Sequence, residues 1–140
     1  PLPFSIRQGV KLWRTFFYEP VDYVVDETKS TSWNRGRFMV EGPAHCAACH
    51  TPRNFAGGLD TDAQFAGASG GTAGWTAPPI TTEALAEGGW TEESLIAALR
   101  TGLTPTGDAF GGAMAEVVHL STSYLLDQHI EDMAEFLMDQ

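Results

Sequence analysis

The sequence predicts an all-α domain in which three to five helices are separated by long loops. Two stretches, at about 91–102 and 127–138, have the apolar spacing of amphipathic helices. No stretch shows the alternation expected of a half-buried strand. The 15 glycines and 8 prolines among 140 residues indicate that much of the backbone is loop. A small domain with so much loop usually needs a disulfide, a metal or a cofactor to hold it together.

The first predicted element is a short helix over about residues 8–18, since four large apolar residues recur there at helical spacing: Val10, Trp13, Phe16 and Phe17. We assign residues 1–31 to an N-terminal connector or extension. This segment either packs on its own domain or lies against a neighbouring domain or subunit.

A second helix is predicted from Trp33 to Glu41, with Ser32 as its N-cap and Gly42 and Pro43 as its stop. Residues 51–81 are rich in glycine and have no clear period, so they are predicted to be a long loop. Such a loop is unusual in a compact domain unless something fills its interior.

A third helix begins after Thr91, a good N-cap, and ends before Gly102, a residue suited to the left-handed turn that follows a helix. A second glycine-rich stretch covers 102–113. The last helix carries four apolar residues on one face, Ile130, Met133, Phe136 and Leu137.

Charge is distributed unevenly: the chain has 8 basic and 18 acidic residues, for a formal net charge of −10. After Arg37 only Arg53 and Arg100 are basic. Nucleic acid is therefore excluded as a partner, because its phosphates would be repelled. The acidic surface serves either solubility or attraction to a basic docking surface on a partner.

Hydropathy excludes a transmembrane segment in this chain, because no apolar run approaches the ~20 residues that a membrane span needs. No signal peptide is visible, and the chain begins abruptly at Pro1. We therefore expect either that a leader has been removed or that the chain is a fragment of a longer protein.

The stretch HCAACH, residues 45–50, carries the chemistry. It holds both cysteines of the chain, Cys46 and Cys49, with His50 directly after them. Residues three apart lie on one face of a helical turn, so both sulfurs can add to the two vinyl groups at one edge of a haem. His50 then lies where its imidazole can bind the iron. The spacing C-x-x-C-H predicts one haem c, attached covalently through Cys46 and Cys49.

Three other uses of this stretch remain open. Cys46 and Cys49 could form a redox-active dithiol, although such motifs usually accompany a βαβ unit. They could form a disulfide in an oxidising compartment. They could also be half of a zinc site with His45 or His119, although structural zinc prefers two separated pairs of ligands.

Four methionines are candidates for the sixth ligand of the iron. Met114, in GGAMAEVV just beyond the second glycine-rich stretch, is the best placed of them. Met133 lies on the inner face of the last helix, Met39 is too near the attachment site, and Met138 is close to the C-terminus. The main rival ligand is His119, which would give a bis-His iron.

Ligation by His50 and Met114 would fill both axial positions of the iron and leave no site for a substrate. The iron could then change oxidation state with little change in geometry, which suits electron transfer rather than catalysis. The alternative is a haem enzyme or a gas or redox sensor, with an open or a bis-His iron.

These residues resemble class I c-type cytochromes. The closer resemblance is to the cytochrome c subunits of bacterial membrane-associated dehydrogenases for alcohols, gluconate or fructose. It covers about residues 32–137, so we assign 32–140 to a cytochrome c haem domain. The segments that carry it are 33–54, APPIT at 77–81, GGWTEESLIAALRTG at 88–102, GGAMAEVV at 111–118 and DMAEFL at 132–137.

The resemblance implies roles for three further residues in binding the cofactor. The carbonyl of Pro78 would accept a hydrogen bond from the Nδ1–H of His50. Arg53 and Arg100 would pair with the haem propionates, or otherwise form surface ion pairs. The chain departs from the family in having Pro79 where an asparagine is usual.

The resemblance also implies a single-electron carrier of the bacterial periplasm rather than an enzyme. Its partners would be redox proteins: a dehydrogenase as donor and a cytochrome or an oxidase of the respiratory chain as acceptor. Association with the membrane would come through a partner or through a segment outside this chain. Residues 1–31 look like the connector that follows a first haem domain in relatives with several haems.

Overall fold

The computed structural model describes residues 7–18, 20, 22–69 and 74–140. Within these ranges the chain forms seven α-helices, which confirms the predicted helical class, although the predicted number of three to five helices was too low. No helix of the described residues is long and apolar enough to cross a membrane. The helices are α1 (Arg7–Phe17), α2 (Thr31–Glu41), α3 (Ala47–His50), α4 (Thr82–Glu87), α5 (Glu92–Thr101), α6 (Gly112–Leu120) and α7 (Asp127–Met138).

The two predicted loops contain more regular structure than the sequence indicated. The first holds two short strands, β1 (Ala68–Ser69) and β2 (Thr76–Ala77), which pair antiparallel with Ala68 opposite Ala77. The prediction of no strand was therefore wrong at this point. A two-residue strand is too short to show alternation. Helices α4 and α6 were not predicted either, because six and nine residues are too few to show a clear helical period.

The main packing contact is the crossing of α2 and α7. At Gly36 the helices approach so closely that a Cβ atom there would lie 1.8 Å from the carbonyl oxygen of Asp132. The buried Asp132 carboxylate accepts two hydrogen bonds from Arg35, at 2.7 and 2.8 Å, and one from the hydroxyl of Ser32. A side chain larger than hydrogen at Gly36 would force the helices apart.

The start of α2 corrects one predicted cap. The helix begins at Thr31, and its N-cap is Ser30, whose side chain accepts from the backbone N–H of Trp33 at 2.9 Å. Ser32 lies inside the first turn and donates to Asp132 of α7 instead. The prediction failed because a serine can serve either as a cap or as a tertiary donor, and the sequence does not distinguish these uses.

Helix α5 follows its prediction closely. Thr91 and Ser94 form a reciprocal capping box, and Gly102 adopts the left-handed conformation with φ of +80°. Leu95 and Leu99 are buried. The four residues predicted for the inner face of α7 are also buried: Ile130, Met133, Phe136 and Leu137.

The N-terminal helix α1 buries none of its 11 residues. Trp13 donates its indole N–H to the carbonyl of Ala56 at 2.8 Å, and the ring of Phe17 lies against Gly58. Phe16 is 72% exposed. The helix therefore rests on the loop after α3, while the division of the chain at residue 31 stays a prediction.

Candidate functional site

The C-x-x-C-H segment forms the predicted helical turn. Helix α3 closes with a hydrogen bond from the N–H of His50 to the carbonyl of Cys46 at 2.9 Å, and Cys46 itself has helical backbone angles. Both thiols are free: Cys49 is exposed and Cys46 is half-buried against the core. The turn thus presents two unpaired sulfurs three residues apart.

The surroundings of the cysteines bear on the rival uses of this stretch. Burial raises the pKa of the Cys46 thiol to about 11, so it stays protonated at neutral pH. A reactive dithiol needs the opposite, a thiol pKa below its usual range. Within the described ranges, no cluster of three or more His, Cys, Asp or Glu side chains could hold a metal ion, as a zinc site of this kind would require.

The imidazole of His50 is oriented by the backbone. Its Nδ1 lies 2.8 Å from the carbonyl oxygen of Pro78. A carbonyl can only accept a hydrogen bond, so Nδ1 carries the proton, and in the neutral imidazole Nε2 then keeps its lone pair. A metal ligand needs such a free nitrogen. The donor set of this turn therefore fits covalent haem, with two thiols for attachment and an imidazole ready to bind iron.

Three residues near His50 have contacts that sequence reasoning missed. The buried hydroxyl of Thr51 accepts from the N–H of Phe65 at 3.0 Å, and the N–H of Gly67 donates to the carbonyl of His50 at 2.8 Å. Phe65 is buried, yet it has a φ of +60°. Of these three residues, only Gly67 could have been anticipated from the sequence, because glycine is the usual residue where the backbone is unusual. An aromatic residue rarely adopts the conformation of Phe65.

Met114 lies in the first turn of α6, half-buried against the core. His119 lies on the same helix but is exposed. The two residues are five positions apart along the helix, which places their side chains about 140° apart around it. Met39 and Met138 also pack against the core, and Met133 is fully buried within it, as predicted.

The two arginines predicted to meet haem propionates make contacts within the protein. Arg53 donates to the carbonyls of Gly57 and Ala48, at 2.9 and 3.1 Å. The guanidinium of Arg100 donates to two carbonyls and pairs with the carboxylate of Asp127. These bonds occupy two of the five N–H donors of Arg53 and three of those of Arg100. A role toward propionates stays a prediction for both.

Comparison with known proteins gives relatives along almost the whole chain. It is 40% identical over 139 residues to the fructose dehydrogenase cytochrome subunit of Gluconobacter japonicus, a match that covers 98% of this chain. This chain is a homologue of dehydrogenase cytochrome c subunits. It is also 34% identical to the cytochrome c subunit of the quinone alcohol dehydrogenase of Komagataeibacter europaeus, over 96% of the chain. No protein-family model matches.

The homology bears on the cofactor and on the general role of the chain. Cytochromes are haem proteins, so the homology implies haem and supports a role in electron transfer. The gluconate 2-dehydrogenase cytochrome c subunit of Pantoea cypripedii is 35% identical over 98% of the chain. All three relatives are much longer, because the chain spans only 28%, 30% and 33% of their respective lengths.

Proposed function

We propose that this chain is a class I c-type cytochrome domain that carries single electrons on one covalently bound haem. The observation that carries the proposal is the 2.8 Å hydrogen bond from His50 to Pro78, in a turn that also presents two free thiols. When bound, the haem supplies an iron that gains and loses one electron. The protein supplies the anchors, the ligands and an environment of low polarity.

Cys46 and Cys49 would hold the haem through thioether bonds, and His50 would bind the iron through Nε2. The bond to Pro78 keeps the imidazole in one orientation and increases its basicity. A protonated Cys46 thiol agrees with this use, because a thiol adds its S–H across the vinyl double bond. Binding of a metal by Cys46 would instead need the thiolate.

Met114 would be the second axial ligand. Its half-buried position in the first turn of α6 supports this assignment over His119, which is exposed and points to another side of that helix. A thioether is a soft ligand, and His/Met ligation raises the reduction potential of a haem. Arg53 and Arg100 would use their remaining N–H donors toward the propionates.

We propose that the electrons pass from a periplasmic dehydrogenase to a cytochrome or oxidase of the respiratory chain. The homologues named for fructose, alcohol and gluconate dehydrogenases support a dehydrogenase as donor. The formal charge of −10 would favour partners with a basic docking surface, an attraction that salt would weaken. With both axial positions filled, the iron would not act as a catalyst.

Carbon monoxide binding to the reduced holoprotein tests the ligation. Met114→Ala should open the iron, so that carbon monoxide binds rapidly and the reduction potential falls. Met39→Ala is the matched control, because Met39 is also a half-buried methionine against the core. It should leave both properties unchanged. Rapid binding to the unaltered protein would instead favour the haem enzyme or gas sensor.

A further inference from the structure

The hydrogen bond from His50 to Pro78 belongs to a closed network of hydrogen bonds that includes residues outside the predicted site. Thr51 follows His50 directly, and its hydroxyl accepts from the N–H of Phe65 at 3.0 Å. The carbonyl of Phe65 in turn accepts from the N–H of Ile80 at 2.9 Å. Ile80 is two residues from Pro78, whose carbonyl lies 2.8 Å from Nδ1 of His50.

A second, shorter connection runs through Gly67. Its N–H donates to the carbonyl of His50 at 2.8 Å. On its other side, a Cβ atom at this position would lie 2.8 Å from the nitrogen of Pro79 and 3.1 Å from the carbonyl carbon of Pro78. Gly67 therefore fills the space between the backbone of His50 and the peptide that orients its ring.

The backbone of Phe65 is held in a conformation that is unfavourable for a residue other than glycine. Its φ of +60° is rare for an aromatic residue, and its side chain is almost fully buried. Strained backbone of this kind persists where the surrounding structure fixes it, and it clusters at functional sites. Here hydrogen bonds fix both sides of the residue, through its N–H to Thr51 and through its carbonyl from Ile80.

We infer that Thr51, Phe65 and Gly67 form a positioning frame that fixes the hydrogen bond between His50 and Pro78. Thr51 is the one member of the frame whose side chain makes the connecting hydrogen bond. The inference rests on the proposed role of His50 as an iron ligand. Hydrogen bonds to an axial ligand are one of the means by which a protein tunes the potential of a haem.

The decisive variant is Thr51→Val, which keeps the shape of the side chain and removes the acceptor for the Phe65 N–H. A loosened frame weakens the bond to Pro78, makes the imidazole less basic and favours reduced iron. The reduction potential should rise, up to ~59 mV for a tenfold change in a one-electron equilibrium. The ring proton on Nδ1 of His50 should exchange faster with solvent. Thr51→Ser should restore both properties.

Thr122→Val is the matched control. Thr122 is equally buried, and its hydroxyl also bonds a backbone group, the carbonyl of Leu99. It should lower the free energy of unfolding much as Thr51→Val does, while the potential and the exchange of the His50 proton stay at their original values. If the two variants affect these readouts equally, the frame is refuted and Thr51 contributes to stability alone.

Hydrogen exchange in the unaltered holoprotein gives a second test that needs no variant to fold. The N–H groups of Phe65, Gly67 and Ile80 should open together with the Nδ1–H of His50 and show one free energy of opening. Exchange of the three amides much faster than that of the ring proton would contradict the frame. Absence of covalent haem from the exported protein would instead refute the proposed function, and the exchange of these protons would still test the frame.

Discussion

The crossing of α2 and α7 is closed by side chains, whereas the turn at His50 is closed largely by backbone groups. At the crossing, Gly36 allows close contact and the Asp132 carboxylate binds Arg35 and Ser32. Around His50, carbonyls and amides of a loop make most of the bonds. The crossing therefore depends on side-chain packing and an ion pair, while the position of His50 depends on hydrogen bonds to the backbone of a loop.

The burial of apolar side chains follows the same division. Among the residues that the structure describes, α5 and α7 contribute no large exposed apolar side chain and supply much of the buried core. The loops at 51–81 and 102–113 expose large ones, namely Phe55, Leu59, Trp75 and Leu103. Helices α5 and α7 therefore contribute chiefly to the core, whereas these two loops leave several large apolar side chains exposed.

Gly36→Ala, at the crossing of α2 and α7, should cause the largest loss of stability. The new Cβ would lie 1.8 Å from the carbonyl oxygen of Asp132, so α2 and α7 must separate, at a cost of about 3 kcal/mol or more. Urea unfolding of the holoprotein measures this loss. Gly9→Ala is the control, because no described atom lies within 4 Å of a Cβ there. A loss no larger than that of the control would contradict the close crossing.

Asp132→Asn should have an intermediate effect that depends on pH. Burial by itself raises the pKa of Asp132, but hydrogen bonds from Arg35 and Ser32 and the Arg35 charge outweigh it and hold the pKa below its usual value. A lowered folded pKa adds stability above the unfolded pKa of about 3.9, and this stability is lost as the pH falls through the folded value. The variant should lose about 1.5–3 kcal/mol at neutral pH.

The same variant should flatten the acid limb of the stability curve, because an amide does not titrate. Unfolding free energies measured from neutral pH down to about pH 3 test this. The control is Asp139→Asn, which removes an exposed pair with Lys29 and should cost less than about 1 kcal/mol. Parallel curves for the unaltered protein and Asp132→Asn would show that Asp132 contributes no pH-dependent stability.

Phe55→Ala should have the smallest effect. Phe55 is fully exposed on the loop after α3, so its truncation should change the unfolding free energy by no more than about 0.5 kcal/mol. The same truncation at Phe136, which is buried in α7, should cost several times more. A loss at Phe55 comparable to that at Phe136 would mean that the loop has an apolar core of its own.

The long helices α2, α5 and α7 were largely predictable from the sequence, because their signals are local. Thr91 and Gly102 mark the ends of α5, and the apolar spacing of α7 gave its buried face. The predicted cap at Ser32 was wrong because its tertiary partner, Asp132, lies 100 residues away. The close approach at Gly36 left no signal either, because the sequence does not say which glycine faces another helix.

The turn at His50 and the loop after it were predictable only where a motif carries its own chemistry. C-x-x-C-H identified the turn at 46–50, and a family resemblance identified Pro78 as the partner of His50. Thr51 and Phe65 gave no signal, since their roles depend on a bond across 14 residues and on an unusual backbone angle.

The most direct test of the central claim is the mass and absorbance of the purified protein after export with a haem-attachment system. The account predicts a coloured protein whose mass exceeds the 15.1 kDa chain by one haem and whose haem withstands denaturation. A double variant, Cys46→Ala with Cys49→Ala, should have the mass of its bare polypeptide under denaturing conditions. A colourless unaltered protein with the mass of the bare chain would contradict the account.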